Sequence, residues 1–397
     1  MRYEHACIPL GAAWSSPFAR WQGALSEISS LDLAVLATRR ALADRGIPAE
    51  EITQIVLGWT VPQEAAFYGA PTVAAKIGAP GVTGPMVAQA CATSVAAIAL
   101  AALTVEGGED GLNLALLTDR TSNGPHIVYP SPSNQGGSVR AEDWVMENFR
   151  RDPWAGQPMH RTAEIVAAEL GVSREEVDDV TFLRYEQYAR ALDYDRAFQR
   201  RYMVPVEVPG RRGKSTPVDG DVGVHASSRE ALAALDPVED GGVVTYGSQT
   251  HPADGTAALL VTTEARAREL ATEAGVVHLL ASGTARVKRA QMPKAPVPAA
   301  ERALNDAGLT WQHLDAVTTH NPFAVNDIWF SRCSGIPVEK VNLYGSSLVY
   351  GHPQAPTGAR LIAELIETLG LRGGGIGLFT GCAAGDTGAA LLVRVGD

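Results

Sequence analysis

Between Val95 and Leu103 no polar residue interrupts the chain, and the surrounding stretch over residues 87–108, VAQACATSVAAIALAALTVEGG, is built from small apolar residues. A helix with no polar stripe has no face for water, so this one is expected at the centre of its domain. Upstream, 30–45 reads as an amphipathic helix ended by Gly46, and 52–57 as a short buried strand, a helix-to-strand unit of α/β type.

The same pattern returns late in the chain. ALADRGIPAEEITQIVLG, starting at Ala41, is echoed by ALNDAGLTWQHLDAVTTH, starting at Ala303, an offset of 262. With that offset the apolar helix at 95–103 falls on TGARLIAEL (357–365), and LALLTDR from Leu114 falls on IGLFTGC from Ile376. DGTAALLVTT from Asp254 also resembles DTGAALLVRV from Asp386, a strand closing each half. Four matches in consistent order point to two similar α/β halves, the first interrupted between about Thr121 and Gly247.

Within the interruption, Thr121 to Gln157 is rich in Ser, Pro, Asn and Gly and reads as loop. Helices are expected over 161–170, then from a capping box formed by Ser173 and Glu176 through TFLRYEQYARAL, and finally over 228–235. A strand at 204–208 and a loop, PGRRGKSTPVDGD, lie between them. This excursion is expected to pack over the duplicated core and cover a ligand.

A chain of 397 residues exceeds the size at which one core stops growing, so several core units are expected. Hydrophobic residues at 46% and charged ones at 19% fit a globular chain, and no apolar run is long enough to span a bilayer. No signal-peptide pattern opens the sequence, and a cytoplasmic protein is expected. A net charge of −11 argues against nucleic acid or an anionic membrane as partner, although Arg211-Arg212-Gly213-Lys214 and the stretch from Arg286 to Arg289 could meet an anionic cofactor. The four cysteines, Cys7, Cys91, Cys333 and Cys382, form no CxxC pair and have no histidine at ligand spacing, so neither a metal site nor a disulfide frame is expected.

The polar residues that break the apolar pattern fall at corresponding places in the two halves. Cys91 opens the apolar helix of the first half, where free N–H groups and the helix dipole lower a thiol's pKa. His352 stands just ahead of the matching helix, so two helix N-termini meeting at one point would bring nucleophile and base together. His320 and Cys382 each end a core strand, the end at which ligands gather in open α/β sheets. Taken singly, each has a plainer reading: Cys91 and Cys382 as small core residues, His320 as a hydrogen-bonded histidine and GHP as a turn. Their conjunction within a repeat is far more specific.

QACATSVAA around Cys91, HNPFA at His320, GSSLVYGHPQAPTGAR at His352 and GCAAGD at Cys382 resemble the four sequence blocks of the thiolase family, in order and spacing. The likeness covers nearly the whole chain. It implies a five-layered αβαβα core of two duplicated halves: residues 1–120 plus 248–265, and 266–397, with an inserted loop domain over 121–247. It further implies a dimer or tetramer, with an accessory subunit left open as a partner.

The resemblance implies ping-pong Claisen condensation or its reverse: two acyl-CoA give a 3-oxoacyl-CoA and coenzyme A, with no permanently bound cofactor and no metal. Cys91 would be acylated, His352 would activate it, Cys382 would move the Cα proton, and His320 would help form an oxyanion hole. Met159, Thr250 and Phe323 match positions lining the pantetheine and acyl pocket, and Ala384 would present a backbone N–H. His320 stands where many thiolases have Asn, similar to a sterol-carrier-protein-type subgroup. Ala383-Ala384-Gly385 replaces the usual x-Gly-Gly after the last cysteine, which a hole of backbone N–H groups tolerates if that turn needs no positive φ. Two other readings remain: a decarboxylative ketoacyl synthase-like enzyme, and a non-catalytic acyl-CoA-binding subunit.

Overall fold

The computed structural model describes residues 1–396 apart from 132, 134, 135 and 211–213. Arg211, Arg212 and Gly213 of the first basic cluster therefore lie outside the described residues.

Two mixed sheets carry the duplication. In the first, Ile52–Gly58 pairs parallel with Leu112–Arg120, which pairs antiparallel with Ala253–Val261. In the second, Ala316–His320 pairs parallel with Gly375–Ala383, which pairs antiparallel with Thr387–Val395. An added strand, Met86–Val87, edges the first sheet, and Cys7–Pro9 edges the second. The central strands are buried on both faces, which explains why they read as unbroken apolar runs rather than alternating ones.

The helices Thr93–Glu106 and Ala355–Gly370 lie between the sheets, the second of them against strands of both. Ser30–Asp44 covers the far face of the first sheet and Pro296–Ala307 that of the second, which completes five layers. The central helices touch at Ser94, whose hydroxyl accepts from the Ala359 N–H at 2.8 Å and donates to the Ala355 carbonyl. Gly358 permits this approach, because a Cβ there would stand 2.9 Å from Ser94 Cβ.

The Thr93–Glu106 helix departs from expectation. Ala96, Ala99 and Leu100 are only partly covered and Leu103 is 45% exposed, so one apolar stripe faces out of the chain. Apolar composition all round removes the polar side of a helix; it does not say what covers each side.

The interrupting segment carries the helices Met159–Leu170, Arg174–Ala191 and Arg229–Ala233, with Ser173 capping the second through the Glu176 N–H at 3.1 Å. The ribbon of His126–Tyr129 and Arg140–Asp143 and the short helix Met146–Arg150 after it fall where loop is expected from sequence. Val206–Pro209 overlaps the strand expected at 204–208, and its partner Ser215–Val218 falls within the stretch expected as loop. The strands read as loop are short, and most of their residues are exposed or only partly covered, so no run of apolar positions marks them.

This segment is pinned to the core by buried charge. Arg360, on the second central helix, pairs with Asp221 at 2.7 Å and with Glu364 at 3.0 Å, with all three side chains almost completely buried. Arg184 likewise pairs with Asp327 at 2.9 Å.

Candidate active site

Both central helices begin next to strained backbone. Ala90 adopts a φ of 47° immediately before Cys91, and Gln354 a φ of 58° two residues after His352. Positive φ costs an L-residue energy unless neighbours enforce it. Thr93 does so for Cys91, since its hydroxyl donates to the Ala90 carbonyl at 2.6 Å and accepts from the Gln89 N–H at 2.8 Å. His352 is fixed through its Nδ1, 2.6 Å from the Thr357 hydroxyl, and through its backbone N–H, which donates to the His251 carbonyl at 2.9 Å.

These constraints place His352 Nε2 3.0 Å from Cys91 Sγ. His320 lies beside the pair, its ring centroid 4.1 Å from that of His352, with Nδ1 2.9 Å from the Ser347 hydroxyl. His320 Nε2 is buried with no hydrogen-bond partner among the described residues. When Ser347 donates to Nδ1, Nε2 carries the proton and is free to donate to a developing oxyanion. Cys382 sits at the end of its strand, buried, with its Sγ 3.3 Å from Asn326 Nδ2.

Electrostatically the site rests neutral. Burial pushes the Cys91 thiol up to about 12, although the N–H groups of Ala384 and Cys91 hydrogen-bond the sulfur and pull the other way. The lowered thiol expected from the helix dipole is therefore not what the fold delivers; desolvation outweighs the helix terminus. Burial holds His320 down to about 3, and burial together with neighbouring His320 holds His352 well below its usual range. Burial, with Cys91 adjacent, likewise holds the Cys382 thiol well above its ordinary value. Cys91 and His352 thus rest as a neutral thiol–imidazole pair in hydrogen-bond contact.

A cavity of about 480 Å³ opens on the pair, and Cys91, His352, Cys382, Met159, Thr250, Phe323 and Ala384 all line it. Thr250 turns its hydroxyl onto the Ser347 carbonyl, so it buttresses the wall. The positive φ in the last block falls on Gly385 and Asp386, leaving Ala384 in ordinary backbone, so the replacement of the usual glycine is accommodated. Met146, Phe149 and Met292 also line the cavity. Sequence reasoning missed them, and missed Asn326, Ser347 and Thr357 as site residues. The first two sit in a stretch read as loop, whereas Asn326 was findable as a polar residue six positions after His320 on a helix of buried residues.

A thiol in contact with an imidazole, a second thiol and a buried imidazole nitrogen without a hydrogen-bond partner among the described residues gather at one apolar cavity of a duplicated α/β fold, an arrangement suited to acyl transfer. The sequence matches the thiolase N-terminal domain over residues 11–265 and the thiolase C-terminal domain over 274–395. The chain belongs to the thiolase family. It is similar to an acetyl-CoA acetyltransferase of Syntrophomonas wolfei, 29% identical over 396 residues and covering 98% of each chain. It is likewise similar to one of Allochromatium vinosum, 28% identical over 96% of this chain and 97% of that one. Among solved structures, human mitochondrial 3-ketoacyl-CoA thiolase in complex with CoA superposes with a TM-score of 0.91 at 24% identity over the whole of both chains. The Bacillus anthracis acetyl-CoA acetyltransferase gives 0.90 at 26% identity, covering 99% of each.

Proposed function

We propose that this chain is an acyl-CoA C-acyltransferase working by ping-pong Claisen condensation or thiolysis through an acyl-Cys91 intermediate. The observation that carries the reading is the 3.0 Å contact between Cys91 Sγ and His352 Nε2 at the mouth of the apolar cavity. A thioester carbonyl needs a polarizable nucleophile that is also a good leaving group, and a thiolate is both.

Each proton has a place to go. As Cys91 attacks the acyl-CoA carbonyl, His352 takes the thiol proton and Cys382 gives its own to the departing CoA sulfur. That leaves an imidazolium beside a Cys382 thiolate. The thiolate then removes a Cα proton from the second acyl-CoA, and the carbanion attacks acyl-Cys91. Cys91 leaves as a thiolate and recovers its proton from His352. His320 Nε2 and the N–H groups of Cys91 and Ala384 are the donors for the oxyanions, each worth several kcal/mol when preorganised. The decarboxylative reading is less favoured, because decarboxylation makes the carbanion without a second thiol such as Cys382.

Coenzyme A is read as substrate and product, with Met159, Thr250 and Phe323 lining its approach. We divide the chain into halves at 1–120 plus 248–265 and at 266–397, with 121–247 as the covering segment; the repeated strand pairing supports the division. A homodimer, alone or doubled into a tetramer, is supported by the uncovered stripe at Ala96, Ala99, Leu100 and Leu103 and by the open edge strand Met86–Val87. No helix among the described residues is long and apolar enough to cross a membrane, and all four cysteines are free thiols, which supports a reducing, cytoplasmic setting.

The reading is tested by incubating the purified protein with acetyl-CoA and following free CoA and 3-oxoacyl-CoA together. The two are expected in equal amounts. Product formed only when malonyl-CoA is supplied would favour the decarboxylative enzyme, and no CoA release from any acyl-CoA would favour the binding subunit.

A further inference from the structure

Sequence spacing gave no metal site, yet the fold gathers three metal-competent donors at one point. The ligand atoms of Cys91, His320 and His352 all lie within 4.8 Å of one another, although 229 and 32 positions separate them along the chain. A tetrahedral zinc with sulfur at about 2.3 Å and nitrogen at about 2.0 Å needs donor separations of roughly 3.3–3.6 Å, which small rotations about the side-chain bonds supply.

Two features mark more than proximity. Both imidazoles are held at Nδ1 by a hydroxyl, His320 by Ser347 at 2.9 Å and His352 by Thr357 at 2.6 Å, the outer support that fixes metal-binding histidines in orientation. Each hydroxyl can accept from Nδ1–H, which frees Nε2 to bind. Independently, His320 is 1% exposed and its Nε2 is a buried polar atom with no partner among the described residues. A metal ion beside Cys91 would satisfy it.

We propose that Cys91, His320 and His352 form a binding site for a soft divalent cation, Zn²⁺ first, which captures the nucleophile and reversibly blocks acylation. On binding, Cys91 gives up its thiol proton to solvent and coordinates as thiolate, the two imidazoles coordinate through Nε2, and the fourth position is open to water. One thiolate and two imidazoles select zinc and cobalt over magnesium and calcium, which prefer oxygen.

The test is a titration of the metal-stripped full-length protein with Co²⁺, without acyl-CoA, read by the thiolate-to-cobalt charge-transfer band; this readout needs no turnover. One Co²⁺ per chain is expected, displaced by Zn²⁺ and removed by EDTA. Cys91→Ser should abolish the band and His320→Asn should weaken binding at least about tenfold, since even outer-shell losses reach that size. Cys333→Ser, which alters an exposed thiol, should change nothing. If a variant folds poorly, alkylating Cys91 in the wild-type protein serves instead and should also abolish the band. In parallel, Zn²⁺ should inhibit acetyl transfer, EDTA should restore it, and Mg²⁺ should have no effect. Absence of the band in the wild type, undiminished binding in His320→Asn, or a band that follows Cys333 would overturn the proposal.

Discussion

His352 Nε2 stands 3.0 Å from Cys91 Sγ, yet the two residues belong to different halves of the chain. Each precedes a central helix, and those helices are locked at their N-terminal ends by Ser94, which bonds both Ala355 and Ala359. The distance from sulfur to imidazole is therefore a property of the interface between the halves. Replacing Gly358 with Ala would drive a Cβ into Ser94 and spread that interface. Acylation of Cys91 is expected to slow by at least tenfold while the fold persists, read as pre-steady-state CoA release; an unchanged burst would show that the pair does not depend on this contact.

Asn326 is expected to act on the second thiol. Its Nδ2 donates to Cys382 Sγ and stabilises that sulfur as thiolate. Asn326→Ala should slow the CoA burst less than condensation, because His352 or water can also protonate the departing CoA sulfur, and should reduce condensation by about 10–100-fold, the scale of losing one charge-assisted hydrogen bond at about 1.5–3 kcal/mol. Equal loss in both half-reactions would instead indicate a general disturbance of the pocket.

Because burial holds the resting thiol up to about 12, alkylation of free Cys91 by iodoacetamide should accelerate with each pH unit beyond pH 9. The sign follows from the reactive species: only thiolate attacks, and its fraction rises tenfold per unit below the pKa. A preformed thiolate–imidazolium pair would give a rate already level near neutrality, and that plateau would contradict the neutral resting state.

Arg360 is fully buried with Asp221 and Glu364 as partners, so its loss strands two carboxylates. Arg360→Ala is expected to cost about 3–5 kcal/mol and to loosen the covering segment carrying Asp221. Thermal melting and limited proteolysis within 121–247 check both; a variant as stable as the wild type would show the network to be dispensable.

The uncovered stripe gives a separate expectation. Leu103→Glu should shift the protein from dimer toward monomer in sedimentation equilibrium with its helix content retained, because a charge there cannot be buried in a subunit contact. A wild-type protein that sediments as a monomer would remove the basis for this assembly.

The duplication was legible because buried central strands and helices leave long apolar words, and the offset of 262 that aligns them carries Thr93–Glu106 onto 355–368, beside the observed Ala355–Gly370. Cys91, His320, His352 and Cys382 stood out for the converse reason, as reactive groups interrupting those words. The ribbon at 126–143 and the strand Ser215–Val218 did not, since short exposed strands carry little hydrophobic signal, whereas the apolar positions of Val206–Pro209 did. Nor could the sequence weigh desolvation against the helix dipole at Cys91, or show that Ser347 and Thr357 would meet the two histidines. Those depend on depth and on contacts made across the chain.

The most direct test of the two-thiol mechanism is transfer of a labelled acetyl group from acetyl-CoA to the wild type, Cys91→Ala and Cys382→Ala, with 3-oxoacyl-CoA followed in the same samples. The account predicts label on the wild type, slower label on Cys382→Ala, where His352 or water must protonate the departing CoA sulfur, none on Cys91→Ala, and condensed product from the wild type alone. Label retained on Cys91→Ala, or condensation by Cys382→Ala at the wild-type rate, would contradict it.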